Sequence, residues 1–321
     1  MTLTQLEAFV LVARLGSVKA AARTLTVTEP AVSSALASLR HHLGDPLVQR
    51  TPTGMALTPG GRRLVGIASQ IVGLAREAEA AIREVQGAPE QLRAVATSDV
   101  AESVGPALVA AFTARSKAVD VSLGVCAASG MAALLRDRLA DVALGPRLPG
   151  DGSPPLQSAP LFRYRLVFVA APGHPLAAAG ALEPRTLVDQ QWHVGPDAAD
   201  GASPVRAILD RLGIPEGQID VFPSHAAALA ATEHGHGIAA TVAHLLSDDQ
   251  GRQALVRLPV RGTPLDLMWH VTMLGADSRA GAASAFNRFV GTPAATQAMH
   301  APLRGVPPSE FRPPVHVTIW S

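Results

Sequence analysis

The chain has 321 residues, of which 48% are apolar and 17% charged, with a formal net charge of +1. At roughly 100–200 residues per domain, that length predicts two domains or three, each able to bury a core, and the composition excludes bulk disorder. No run of about 18 uncharged apolar residues predicts a membrane span. Met1–Glu7 lacks a signal-peptide core, and a single cysteine, Cys126, excludes an intrachain disulfide or a thiolate metal cluster, so a cytoplasmic protein is expected.

The near-neutral total hides an asymmetry. Residues 1–65 carry seven Arg or Lys and three acids (+4), residues 66–89 two and three (−1), and residues 90–321 eighteen and twenty (−2). The basic excess sits at one end.

Leu3 to Leu15 reads as a helix, with Leu3, Leu6, Phe9, Val10 and Ala13 at helical spacing. Gly16-Ser17 ends it, and Ser17 can cap a short helix from Val18 to Leu25. After the tight connection Thr26-Val27-Thr28, a third helix starts near Glu29-Pro30 with Thr28 as its cap, and it stops at Leu43-Gly44. Leu47–Arg50 and Met55–Leu57, joined by Thr51-Pro52-Thr53-Gly54, form a small hairpin or wing. Leu64, Ile67, Ile71, Leu74, Ala78, Ile82 and Val85 then recur every three or four residues, close to a two-stranded coiled-coil seam. A solitary exposed helix needs no such stripe, so it predicts dimerisation. Gly87-Ala88-Pro89 marks a boundary.

Beyond it, strands alternate with helices: strands at 92–97, 119–125 and 141–144, helices at 104–114 and 130–138. The alternation suggests a parallel sheet with helices on its faces. A Pro/Gly-rich stretch at 145–160 interrupts it, and strands at 166–170, 219–222 and 266–272 and helices at 205–212, 226–233 and 280–290 follow. Six prolines from Pro293 onward leave a tail with little helical prospect, although the apolar Val315–Trp320 could dock as a strand.

Three short helices with a tight turn and a hairpin make a winged helix-turn-helix, in which the third helix enters a major groove while the second braces it. The bland reading is a helical subdomain for protein contacts. The basic excess and the attached pairing helix favour double-stranded DNA.

These residues resemble the LysR-type transcriptional regulators. The resemblance rests on Leu6 with Phe9, Gly16-Ser17 with Ala20-Ala21-Ala22, and Thr28-Glu29-Pro30-Ala31-Val32-Ser33. Leu43-Gly44-Asp45-Pro46-Leu47-Val48-Gln49-Arg50 and Leu57-Thr58-Pro59-Gly60-Gly61 continue it in order. The departures are Glu29 in place of the family's recognition-helix glutamine, Ala35 in place of a later one, and Leu39-Arg40 for the usual Leu-Glu. Glu29 suits a helix N-terminus but repels phosphate; it could accept from cytosine N4 or only cap the helix.

The expected architecture is α+β overall: a winged helix-turn-helix at 1–58, a linker and dimerisation helix at 59–89, and a two-lobed α/β domain at 90–291, similar to periplasmic binding proteins. The resemblance implies a first lobe of 90–162 plus 268–291, a second of 163–267, and a Pro-rich tail at 292–321 outside it. Candidates for base readout are Thr28, Glu29, Pro30, Ser33 and Ser34; for phosphate, Ser17, Lys19, Arg40, Arg50, Arg62 and Arg63. A small-molecule effector is implied in the cleft, near Thr97, Ser98, Asp99, Ser129, Gly195, Pro196, Ser224 and His225. Each has a duller role: Ser98 and Ser129 are good caps, His225 an ordinary surface residue, Asp99 a helix-start carboxylate that disfavours an anionic effector if it points inward. Trp192 either lines the pocket or fills the core, and Cys126 reads as a lone buried thiol.

The resemblance further implies a homodimer assembling into a homotetramer, and RNA polymerase as a partner if the protein activates transcription. No cofactor or metal is expected. The alternatives are a constitutive or architectural DNA-binding dimer without a ligand response and, remotely, an enzyme using Asp99, His225, His234 and His236; those histidines lack a partner at diagnostic spacing, and there is no phosphate loop or nucleophile elbow.

Overall fold

A computed structural model describes residues 1–51, 54–235, 237–246 and 255–300. Helices α1 (Leu3–Leu15), α2 (Val18–Leu25) and α3 (Glu29–Leu43) are followed by the hairpin β1 (Val48–Thr51) and β2 (Gly54–Leu57). Local chemistry sets these ends. Thr2 and Gln5 form a reciprocal capping box on α1, Ser17 accepts from Ala20 N at 3.2 Å, and Thr28 accepts from Ala31 N at 3.4 Å. Gly16 and Gly44 close α1 and α3 in the left-handed region. Phe9, Ala21, Val32, Leu36 and Leu39 make the core of this unit.

Helix α4 (Pro59–Val85) starts pressed against the hairpin. Thr58 Oγ1 donates to Asp45 Oδ1 at 2.7 Å and accepts from Gly61 N at 2.9 Å. A Cβ on Gly61 would lie 2.0 Å from the Leu47 carbonyl oxygen, so this approach demands glycine.

The remainder forms β3 (Glu90–Ala96), α5 (Ser98–Glu102), α6 (Gly105–Arg115), β4 (Val119–Val125), α7 (Ala128–Arg136) and β5 (Val142–Gly145). Then come β6 (Leu156–Ala170), β7 (Trp192–Val194), α8 (Pro204–Leu212), β8 (Ile219–Val221), α9 (His225–His234), β9 (Ile238–Val242), β10 (Val256–Arg257), β11 (Leu265–Leu274), α10 (Gly281–Val290) and α11 (Pro293–His300). The sheet runs in the order β4-β3-β5-β11-β6-β9-β7-β8, with β10 on β6.

Three expectations change. The sheet is mixed: its flanks, β4-β3-β5 and β9-β7-β8, pair in parallel, but the long strands β6 and β11 join them antiparallel. The Pro/Gly stretch ends at Leu156, where β6 already begins; a register irregularity at Trp269/His270 lets Pro160 sit inside the pair. The tail starts with a helix, since Pro293 stands at the first position of α11, where proline is tolerated. Ala295 and Met299 are buried, and the His300 ring lies 4.8 Å from Phe162. Residues 301–321, with Val315–Trp320, lie outside the described residues. Trp192 fills the core: it is fully buried, its indole Nε1 donating to the Leu187 carbonyl at 3.1 Å.

Candidate nucleic-acid interface and ligand cleft

Helix α3 has two faces. Val32, Leu36 and Leu39 point into the core, while Thr28, Glu29, Pro30, Ser33 and Ser34 are all exposed. The N-terminal end of α3 therefore offers three hydroxyl side chains, Thr28, Ser33 and Ser34, and one carboxylate on an exposed surface. Lys19, Arg62 and Arg63 are exposed, Ser17 and Arg40 are half-buried, and Arg62 donates to the Leu57 carbonyl at 2.8 Å. Arg50 lies on β1, but its side chain is outside the described set.

The apolar stripe on α4 is mostly uncovered within one chain. Ile67, Ile71, Leu74, Ile82 and Val85 are exposed, as is Ala78, whereas Leu64 packs on the winged core. Burying such a row is favourable by about 25 cal/mol per Å².

At the other end, Thr97, Asp99, Gly195 and His225 converge on one cavity, together with Tyr164, Asp197, Asp200 and Thr241. The cavity holds about 30 Å³, room for one or two waters. The remaining sequence candidates sit around it in other roles. Pro196 opens a short 3-10 turn, and Ser224 caps α9 by accepting from Ala227 N at 3.0 Å. Ser98 and Ser129 are not caps. The cap positions belong to Thr97 and Ala127, which make no side-chain cap bond.

Carboxylates from the facing lobe satisfy those helix starts. Asp197, after β7, accepts from Ser98 N (3.4 Å) and Asp99 N (3.1 Å) of α5. Asp200 accepts from Ser129 N of α7 at 3.0 Å. Glu102 of α5 reaches the other way and accepts from His225 N (3.1 Å) and Ala226 N (2.8 Å) of α9. Asp99 accepts from Trp269 Nε1 at 3.0 Å. Burial, then the neighbouring Asp99, pushes the Asp197 carboxyl up to about 7. Burial lowers His225, leaving a neutral imidazole whose Nε2 lies 3.2 Å from Thr241 Oγ1. Cys126 is buried and its thiol is pushed up to about 11, so it stays protonated. Asp197, Asp200 and Glu102 escaped sequence reasoning; the only signal was two acids three residues apart just after a strand-ending glycine.

The far end of α7 grips the N-terminal part of the chain. Asp137, at its C-cap, pairs with Arg14 of α1, and Arg138 donates to Glu77 of α4 at 2.5 and 2.6 Å. A Cβ on Gly73 of α4 would lie 2.4 Å from the Arg138 Cβ, so the two surfaces are in close contact. Arg76 of α4 also pairs with Glu7 of α1 at 2.8 Å.

A winged helix-turn-helix joined by a long helix to a two-lobed cleft defines a DNA-binding regulator with an effector-binding domain. Residues 3–62 match the model for bacterial regulatory helix-turn-helix proteins of the lysR family, and residues 86–293 match the LysR substrate binding domain. The chain belongs to the LysR-type transcriptional regulator family. It is 38% identical to the uncharacterized HTH-type transcriptional regulator Rv0377 of Mycobacterium tuberculosis, over all of both chains. It is 28% identical to the HTH-type transcriptional regulator CfxR of Cupriavidus necator, over 86% of each. Its fold resembles the crystal structure of CbnR, a LysR family transcriptional regulator, with a TM-score of 0.61 at 19% identity, covering 90% of this chain and 98% of that one. With a regulator's architecture established, the enzymatic reading falls away; of the histidines it invoked, His236 lies outside the described residues. No helix among the described residues is long and apolar enough to cross a membrane.

Proposed function

We propose that two copies pair through the exposed stripe of α4, that each sets the first turn of α3 into a major groove, and that a small molecule in the cleft biases how the pair holds DNA. Base contacts are assigned to Thr28, Glu29, Ser33 and Ser34, with Pro30 shaping the turn. Phosphate contacts are assigned to Ser17, Lys19, Arg40, Arg50, Arg62 and Arg63. Assembly into tetramers and contact with RNA polymerase belong to the same reading.

One observation carries the sensing half of it. Helix α7 receives Asp200 across the cleft at Ser129 and holds Arg14 and Glu77 at its other end. A change in lobe closure therefore acts on an element that also touches the DNA-binding unit, as coupling between two sites requires. Asp200→Ala removes the contact at the cleft end only. The expected result is a change in operator affinity or in DNA bending while salt-dependent binding to nonspecific DNA is retained, read by mobility shift on fragments recovered from genome-wide mapping of bound sites.

The smallness of the cavity favours a second reading, a constitutive dimer that never opens. Unchanged operator binding in Asp200→Ala, with no metabolite altering it, would establish that reading instead.

A further inference from the structure

Helix N-termini facing a cleft ordinarily attract anions, because their amide N–H groups are unpaired. Here those donors are already used. The amides of Ser98, Asp99 and Ser129 donate to Asp197 and Asp200, and those of His225 and Ala226 to Glu102. An anionic ligand would have to displace three tethered carboxylates and then sit among them.

Positive charge, by contrast, is what the cleft lacks. Asp99, Asp197 and Asp200 line it, and no Lys or Arg does among the described residues; the one basic side chain, His225, is held neutral by burial. Each carboxylate oxygen of Asp99 and Asp197 takes one hydrogen bond from an N–H and retains a further lone pair. Buried anions without a cation are costly, and the ordinary remedy is a proton or a counter-ion. A second observation is independent of the acids. Thr97 lines the cavity, is only 3% exposed, and its Oγ1 has no hydrogen-bond partner among the described residues. Such an atom is an unmet hydrogen-bonding group. Leu166, Val194, Pro204 and Ala240 give the wall an apolar portion beside the hydroxyls of Tyr164, Ser203 and Thr241. The described residues contain no cluster that could ligate a metal ion, so a counter-ion that displaces the proton here is best supplied by an organic cation.

We propose that the cleft takes an amine, a protonated ammonium group on a small apolar body, with its N–H donors directed at Asp99, Asp197 and the Thr97 hydroxyl. The water-sized cavity suits the ammonium head, and the apolar wall suits the body, which enters as the lobes part. This rests on the reading of the chain as a ligand-responsive regulator and gives that reading a ligand class.

The test uses the full-length protein and three chain-matched probes: n-butylamine, butanoate and n-butanol. At about 10 mM, n-butylamine should raise the melting midpoint by a few degrees, and the acid and the alcohol should not. Asp197→Asn and Thr97→Val should each weaken the amine about tenfold or more, while Thr97→Ser keeps its affinity. Calorimetry of the wild type at neutral pH should show proton release on amine binding, read from two buffers of different ionisation enthalpy, and Asp197→Asn should abolish that release. A shift by butanoate equal to or larger than that by butylamine overturns the proposal, and so does a folded protein that none of the three probes stabilises. If the amine binds but operator affinity does not move, the ligand class stands and the sensing role fails. If butanoate both binds and changes operator affinity, the sensing role stands and the amine does not.

Discussion

Asp197 is a cleft residue whose chemistry departs far from its free behaviour. Burial first, then Asp99 and, more weakly, Glu102, push its carboxyl from the ordinary 3.8 up to about 7, against the pull of the Asp99 and Ser98 amides. Asp200, Tyr164 and His225 also line the cavity. Between those two values the folded chain binds more protons than the unfolded chain, so this group stabilises the fold below about pH 4, and that stability is lost as pH rises through about 7. The contribution is on the order of 4 kcal/mol at most. Thermal melts of wild type and Asp197→Asn at about pH 5 and about pH 8 should show the wild type losing more stability on the alkaline side; parallel losses would remove the assignment. Asp99 could be singled out from sequence because it follows a strand end directly. Asp197 could not, because its partners Ser98 and Asp99 are 99 and 98 positions away in the chain, and nothing local in Pro196–Ala199 announces them.

Elements with local logic were legible. Helices α1, α2 and α3 carry their caps and their apolar period within a few residues, so Ser17, Thr28, Gly16 and Gly44 mark their ends by residue type alone. Strand β6 hides its first half because Pro160 sits within it, and only the irregular pairing with β11 accommodates that proline. The same contrast applies to burial. Periodicity identified the apolar row of α4 but not which members the chain itself covers: Leu64 turns inward and Leu74 stays 51% exposed. Leu74→Glu should therefore leave the single chain's fold and helix content intact while weakening pairing at least tenfold, about 1.4 kcal/mol. Sedimentation velocity across a concentration series checks it, and an unaltered dimer would place the pairing surface elsewhere.

At the scale of the molecule, charged pairs among the described residues tie the DNA-binding unit and its long helix to the effector-binding domain. Asp137 and Arg14 have side chains only 9% and 14% exposed, so removing one strands the other away from water. Asp137→Ala should cost roughly 3–5 kcal/mol, and the double change Arg14→Met with Asp137→Leu should recover most of that loss. Chemical denaturation of the three proteins gives the comparison; equal losses in both variants would mean that shape, and not charge, holds the junction. That such a junction exists could not be read from residues 14 and 137, which are separated by a domain boundary and look like ordinary surface charges in sequence.

The close seating of Gly61 on the Leu47 carbonyl has a consequence for freedom of movement. With no room for even one added carbon, α4 cannot swivel on the winged unit, and the Arg76–Glu7 pair pins a second point farther along. Two points fix an axis. The bearing of α3 then follows that of α4, and in a pair joined along α4 as proposed above, the separation of the two α3 helices follows the angle at which the two long helices cross. A regulator built this way can be tuned to a different operator spacing by altering that crossing, without touching any residue that faces a base.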